Sequence, residues 1–220
     1  MSLKLKNKEW PGFFISFEGG EGSGKTTAIA KLEKACKSEG IEVVVTREPG
    51  GTALGNRVRQ WVLDKDSKLA DRTELLLFLA SRVQHLEELI LPALQAGKLV
   101  LCDRFNDSSV AYQGYARGLG MDTVLRLSDL ALDGISPDHS FFFDLDPLVG
   151  MERVRKGRKE ETDRIESEAI AFHEKVREGY QQILAREPHR ITLIDASQDP
   201  DTVFDEVYSS MQSYLRQKHV

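Results

Sequence analysis

The residues Gly19-Gly20-Glu21-Gly22-Ser23-Gly24-Lys25-Thr26-Thr27 contain the spacing G-x-x-x-x-G-K-[ST]. In such a loop the glycines let successive backbone N–H groups curl around phosphate oxygens, and the N-terminus of the following helix adds partial positive charge. Lys25 is then spaced to reach the β and γ phosphates of a nucleoside triphosphate, and the Thr26 hydroxyl to take a place on Mg²⁺. Glu21 is the odd member, a carboxylate inside a cradle for a polyanion.

A phosphate loop by itself is shared by switches, motors, transporters and kinases. A small-molecule kinase needs a second phosphate-binding face, because two polyanions must be brought into line and the charge on the transferred group neutralised. Arginines at two predicted strand ends suit that face: Arg47 in TREPGGT and Arg104 in DRFNDSSVAYQG. Asp103, just before Arg104, reads either as a second nucleotide-site carboxylate holding Mg²⁺ through water or as a helix cap. A basic run, RVRKGR, supplies Arg153, Arg155 and Arg158.

The elements that must position these groups follow from pattern. Five short runs rich in β-branched or aromatic residues, Phe13–Glu18, Glu42–Thr46, Lys98–Asp103, His139–Leu145 and Arg190–Asp195, are continuous rather than alternating, as strands buried on both faces are. Alternating with helical patterns, they predict an α/β domain with a five-stranded parallel sheet flanked by helices. The clearest helix runs from Asp71, as cap with Glu74 three residues on, to Ala96 before Gly97. Others run over about Glu166–Arg186 and from about Asp201 onward, and Arg153–Arg164 reads as a flexible segment between two helices. The expectation is one domain over residues 1–220, with a loose tail at 1–11 and a lid at 153–165. In a parallel sheet the C-terminal strand ends form the ligand crevice, so Arg47 and Arg104 fall beside the phosphate loop.

Composition narrows the partners. A net charge of −5 and a pI near 5.6 give no push toward nucleic acid or an anionic membrane. Cys36 and Cys102 form no metal or disulfide pattern and read as reduced thiols. The lysines near the start precede no apolar stretch, and the longest apolar run, Leu75–Ala80, is far too short to span a bilayer, so the expected setting is cytoplasmic.

GGEGSGKTT, TREPGGT, ELLLFLASRVQHLEELILPAL, DRFNDSSVAYQG and DRIE, in this order and spacing, resemble the motif set of bacterial thymidylate kinases, from about Phe13 to the last helix. The resemblance implies a P-loop kinase fold and the reaction ATP + dTMP ⇌ ADP + dTDP with Mg²⁺, in dTTP biosynthesis. It implies that Gly19–Thr27 holds ATP. Phe78 would stack on the thymine ring and Arg82 hydrogen-bond its carbonyl. Ser109 and Gln113 would be polar groups near the pyrimidine, and Tyr112 would crowd a 2′-hydroxyl. Arg47 and Arg104 would hold the acceptor phosphate. Thr26, Asp103 and Glu166 would serve the metal.

Family members come in two arrangements, one with an arginine in the phosphate loop and one with an acidic residue there and catalytic arginines in a lid. This chain resembles the second, with Glu21 facing the acceptor near the 3′-hydroxyl and Arg153 and Arg158 the first choices in the lid. Asp163 would be a further acidic lid residue and Arg164 would reach the acceptor side, while DASQDPD would line the adenine pocket. The resemblance also implies a homodimer packed through long helices. The competing readings are a kinase for another monophosphate or a deoxynucleoside, and an NTP-binding switch.

Overall fold

A computed structural model describes residues 10–157 and 162–217. Strands β1 (Phe13–Gly19), β2 (Val43–Arg47), β3 (Leu99–Asp103), β4 (His139–Asp144) and β5 (Ile191–Asp195) form one parallel sheet in the order β2-β3-β1-β4-β5. The sequence runs therefore fall on strands to within a residue or two. The helices are α1 (Lys25–Ser38), α2 (Ala53–Leu63), α3 (Asp71–His85), α4 (Leu91–Gln95), α5 (Asn106–Ser109), α6 (Met121–Ala131), α7 (Pro147–Gly157), α8 (Ile170–Arg186) and α9 (Pro200–Gln217). Among the described residues, no helix is long and apolar enough to cross a membrane.

Strand β1 explains why the site lies where it does. Successive side chains on a strand face opposite sides. Phe13, Ile15 and Phe17 enter the core formed with α1 and α9, including Leu32 and Val207. On the other face Phe14 packs edge-on against Phe105, but the next two positions are Ser16 and Glu18, both buried. This face turns polar as it approaches the C-terminal strand ends. There Ser16 Oγ meets Ser140 Oγ at 2.8 Å, and Glu18 Oε1 accepts from the Phe105 amide at 2.8 Å. The register sets Arg47 beside Asp103 and Asp103 beside Phe17, so β2 and β3 deliver their terminal charges to the same edge as the loop after β1.

Four sequence expectations need correction. Asp71 does not cap its helix: the cap is Ala70, with no side-chain bond, and Glu74 turns into the protein. The helix to Ala96 is not uniform, passing through a π-helical turn, Leu86–Ile90, before α4. Pro92 supplies the physical reason, since it cannot donate to the carbonyl of Glu88 and its ring crowds that oxygen; a wider turn just upstream relieves both. Arg153–Gly157 are the last turns of α7 rather than loop, and the helix expected from Glu166 begins at Ile170, after turns closed by Asp163. Residues 1–9 and 158–161, including Arg158 and most of the expected tail, lie outside the described residues. At the tail's end Trp10 packs partly into the core and the Gly12 amide bonds Leu94 O at 3.0 Å.

Candidate active site

The loop between β1 and α1 has the backbone that a phosphate cradle needs. Gly24, the residue before α1, sits at φ 87°, where a side chain would be strained. A Cβ on Gly22 would meet Gly150 O at 2.2 Å, so glycine there lets the loop rest directly on α7. Lys25 is folded back over this loop, its Nζ donating to Gly20 O at 2.7 Å, Ser23 Oγ at 3.1 Å and Gly19 O at 3.2 Å. Burial and the nearby Arg104 charge bring its pKa down to about 8, against the pull of Asp103 and Glu21. The Thr26 hydroxyl donates to Asp103 Oδ2 at 3.2 Å. These groups border an open cleft of about 1170 Å³, shared with Arg47, Arg59, Arg104, Arg153 and Glu166. Arg155 is exposed and is not among the residues lining it.

A second, narrower cavity opens beside the first. Phe78 and Arg82 both line it from one face of α3, as their spacing of four predicts, with Ser109, Tyr112 and Gln113 from the segment after β3. Arg82 is 1% exposed, so its charge must be matched by fixed partners. Its Nε donates to Glu48 Oε2 at 2.5 Å, Nη1 to Ser109 Oγ at 2.9 Å and Asn106 Oδ1 at 3.3 Å, and Nη2 to Phe105 O at 3.1 Å. Glu48 is held from its other oxygen by His85 Nδ1 at 2.9 Å, and His85 Nε2 meets Thr46 Oγ1 at 2.7 Å.

Where the two cavities join stand Glu21 and Arg104. Glu21 Oε1 accepts from Arg104 Nη2 at 2.5 Å and from the Tyr112 hydroxyl at 3.2 Å. Burial alone would push the Glu21 carboxyl up, but Arg104, Lys25 and the Tyr112 bond outweigh it and hold its pKa below the ordinary value. Burial pushes the Tyr112 phenol up, so it stays neutral. The carboxylate that looked misplaced in the loop is thus turned toward the second cavity. Arg104 itself sits at φ 70°, a conformation costing roughly 1–2 kcal/mol for a residue with a side chain. Glu18 holds it there from beneath, gripping the Phe105 amide with one oxygen and Ser108 Oγ, at 2.6 Å, with the other. Ser108 and Tyr180 in turn meet Arg104 Nη1 at 3.4 and 3.2 Å.

The structure thus brings together Lys25, Thr26, Asp103, Glu21, Arg104, Arg47, Phe78, Arg82, Ser109, Tyr112 and Gln113 around two joined cavities, with Glu166 bordering both. Arg153 lines the loop cleft while its Nη1 donates to Ala196 O at 2.9 Å, in the loop after β5. Arg164 does not reach the second cavity: it pairs with Glu74 and donates from Nε to Val62 O at 2.8 Å. Sequence reasoning missed Arg59 and Glu48, which border both cavities, and the buried Glu18, Glu74 and His85 behind them. Arg59 had one available signal, the helical spacing of Val58 and Val62 beside it.

A hydroxyl and a carboxylate in contact at the loop rim fit Mg²⁺, which keeps most of its waters and takes one or two protein ligands plus phosphates. Among the described residues no group of three or more His, Cys, Asp or Glu could form a dedicated metal cage.

A phosphate loop after the first strand of a β2-β3-β1-β4-β5 parallel sheet, joined to an arginine-rimmed cavity with an aromatic wall, defines a P-loop kinase fold. Residues 17–207 match the family model described as thymidylate kinase, and the chain belongs to that family. It is 49% identical over 205 residues to the thymidylate kinase of Geobacillus thermodenitrificans, covering 93% of this chain and 91% of that one. With the thymidylate kinase of Clostridium novyi it shares 49% over 197 residues, 89% of this chain and 96% of that one. The crystal structure of thymidylate kinase from Ehrlichia chaffeensis superposes with a TM-score of 0.74 at 37% identity, covering 91% of this chain and 98% of that one.

Proposed function

We propose that this chain transfers the γ-phosphoryl group of ATP to dTMP, giving dTDP and ADP, with the loop cleft as donor site and the second cavity as acceptor site. The observation that carries the division of labour is the Glu21–Arg104–Tyr112 contact at their junction. Membership of the thymidylate kinase family supports the reaction itself. No covalent intermediate is required, because an acceptor phosphate oxygen can attack the γ phosphorus directly while the protein positions and neutralises.

In this reading Gly19–Thr27 cradles ATP, and Lys25 leaves its own loop carbonyls for the β and γ phosphates. Arg47, Arg59 and Arg104 bind the acceptor phosphate. Burial and the charges of Arg47 and Arg104 hold the Arg59 guanidinium below the ordinary arginine value, despite Asp163 and Asp103, as suits a cation cluster awaiting an anion. Phe78 stacks on the base, Arg82 and Gln113 read its edge, with Ser109 beside them, and Tyr112 packs under the sugar. Arg153, and Arg158 beyond the described residues, close over the transferring group and help exclude water. Thr26 and Asp103 would hold Mg²⁺, with Glu166 nearby; when bound it would offset the charge on the phosphates.

We further propose a single cytoplasmic domain acting as a homodimer; the exposed Leu76 on α3 and Trp61 on α2 are compatible with a helix-packed interface. Turnover of dTMP, dUMP, dCMP, dAMP and thymidine under one set of conditions tests the substrate. The expected order puts dTMP first, and equal or faster phosphorylation of thymidine contradicts the reading.

A further inference from the structure

Behind the acceptor cavity lies a buried carboxylate that the reaction does not itself use. Glu74, on the first turn of α3, is 1% exposed. Its Oε1 accepts from Gln113 Nε2 at 2.8 Å and Arg117 Nε at 3.4 Å, and its Oε2 from Arg117 Nη2 at 3.4 Å and from Arg164. The group is held from several sides and has little room to swing. Burial pushes its carboxyl up, but the bonds from Gln113 and Arg164 and the two arginine charges outweigh that, so it is ionised.

An ionised carboxylate can only accept hydrogen bonds, so the end of the Gln113 amide that faces it must be the NH₂. A planar amide carries its carbonyl on the other side. Gln113 lines the cavity, and the group it offers a ligand there is therefore an acceptor. Arg82, on the same cavity, can only donate. A donor beside an acceptor complements the O4 and N3–H of thymine. Cytosine presents the reverse, an N4 amine and an unprotonated N3, and would leave buried polar groups facing like groups.

We propose that Glu74 is a positioning residue for base choice: by fixing the Gln113 amide with its carbonyl toward the acceptor cavity, it makes the enzyme favour thymine over cytosine. The inference rests on the assignment of the second cavity to the dTMP base.

The test compares kcat/KM for dTMP and for dCMP in the wild type and in Glu74→Gln, whose own amide can present either end to Gln113. The dTMP/dCMP ratio should fall by about tenfold or more. A ratio within about twofold of wild type, with both rates lowered together, overturns the proposal and leaves Glu74 a merely structural residue. Arg117→Met removes another partner of Glu74 while keeping its bond to Gln113; the ratio should hold there, and an equal fall overturns the proposal. Gln113→Leu separates the two levels of argument. If the ratio is unmoved in Q113L, the base does not meet Gln113 and the cavity assignment fails; if it falls in Q113L but not in E74Q, only the role of Glu74 fails.

Should E74Q not fold, the wild-type enzyme carries the test through the Gln113 side-chain amide protons, assigned by their absence in Q113L. They should exchange slowly with solvent both without and with dTMP, and fast exchange in either state overturns the proposal.

Discussion

The charged side chains at the base end of the proposed acceptor cavity arrive already paired, whereas those around the proposed donor cleft are held by contacts that a substrate must replace. Arg82, itself buried, is locked among Glu48, Ser109, Asn106 and Phe105, and the buried Glu74 gathers Gln113, Arg117 and Arg164. On the donor side Lys25 donates to its own loop, Thr26 to Asp103, and Arg153 to Ala196 O. The difference follows from what each site has to do. Selecting a base requires donors and acceptors fixed before it arrives, since an adaptable pocket would accept the wrong one. Transferring a phosphoryl group requires charges that can move onto it as it changes hands.

This contrast can be broken in several ways. The largest effect is expected from Lys25→Ala, which should lower kcat/KM on the order of 10²–10³-fold while leaving the thermal transition nearly in place. Turnover within a few fold of wild type would remove Lys25 from the reaction. Phe78→Ala should act on the other side of the contrast, raising KM for dTMP by about tenfold through the lost stack and leaving kcat less affected. An unchanged KM would count against the stacking pose. Arg153→Ala should be milder, lowering kcat by about three- to tenfold with little change in KM for dTMP, as for a contact made mainly in the transition state. If it instead raises KM for dTMP alone, Arg153 belongs to the acceptor side.

The smallest effect concerns Glu18 beneath the junction. Burial and the charge of Asp107 push its carboxyl up to about 7 from an ordinary 4.5, against the bonds from Ser108 and Phe105 and the charge of Arg104. Between those values the folded chain keeps a proton that the unfolded chain has lost, so Glu18 makes stability fall as pH rises through that window. Glu18→Gln removes this contribution. Its melting temperature should therefore decline less from pH 4.5 to 7 than that of the wild type, and parallel profiles would contradict the assignment.

How much of this could be read from the chain depended on the range of the forces involved. The three central strands were legible because burial on both faces leaves continuous apolar runs, the edge strands β2 and β5 through β-branched runs although Val45 and Leu193 are exposed, and the phosphate loop because its glycines and lysine are adjacent in sequence. Phe78 and Arg82 were legible as a pair because one helical turn separates them. The second tier was not. Glu18 finds Ser108, Glu48 finds Arg82, and Glu74 finds Arg164 only once the chain has folded, and a lone Glu in sequence resembles a solvated charge. Local signals also misled where tertiary contacts prevailed: Asp71 and Glu74 spell a cap, but Glu74 is claimed by Gln113 and two arginines instead. Arg153–Arg164 reads as loop from its charges, yet its first part continues a helix whose Gly150 lies against the phosphate loop.

In the proposed reading the base pocket is built before dTMP arrives, whereas the donor site is completed only when both substrates are present. ADP release by the purified chain with ATP and Mg²⁺, measured with and without dTMP, tests it most directly. Release should be rapid and dependent on dTMP, with only slow hydrolysis without it; release at the same rate in its absence would show a donor site that is complete without the acceptor.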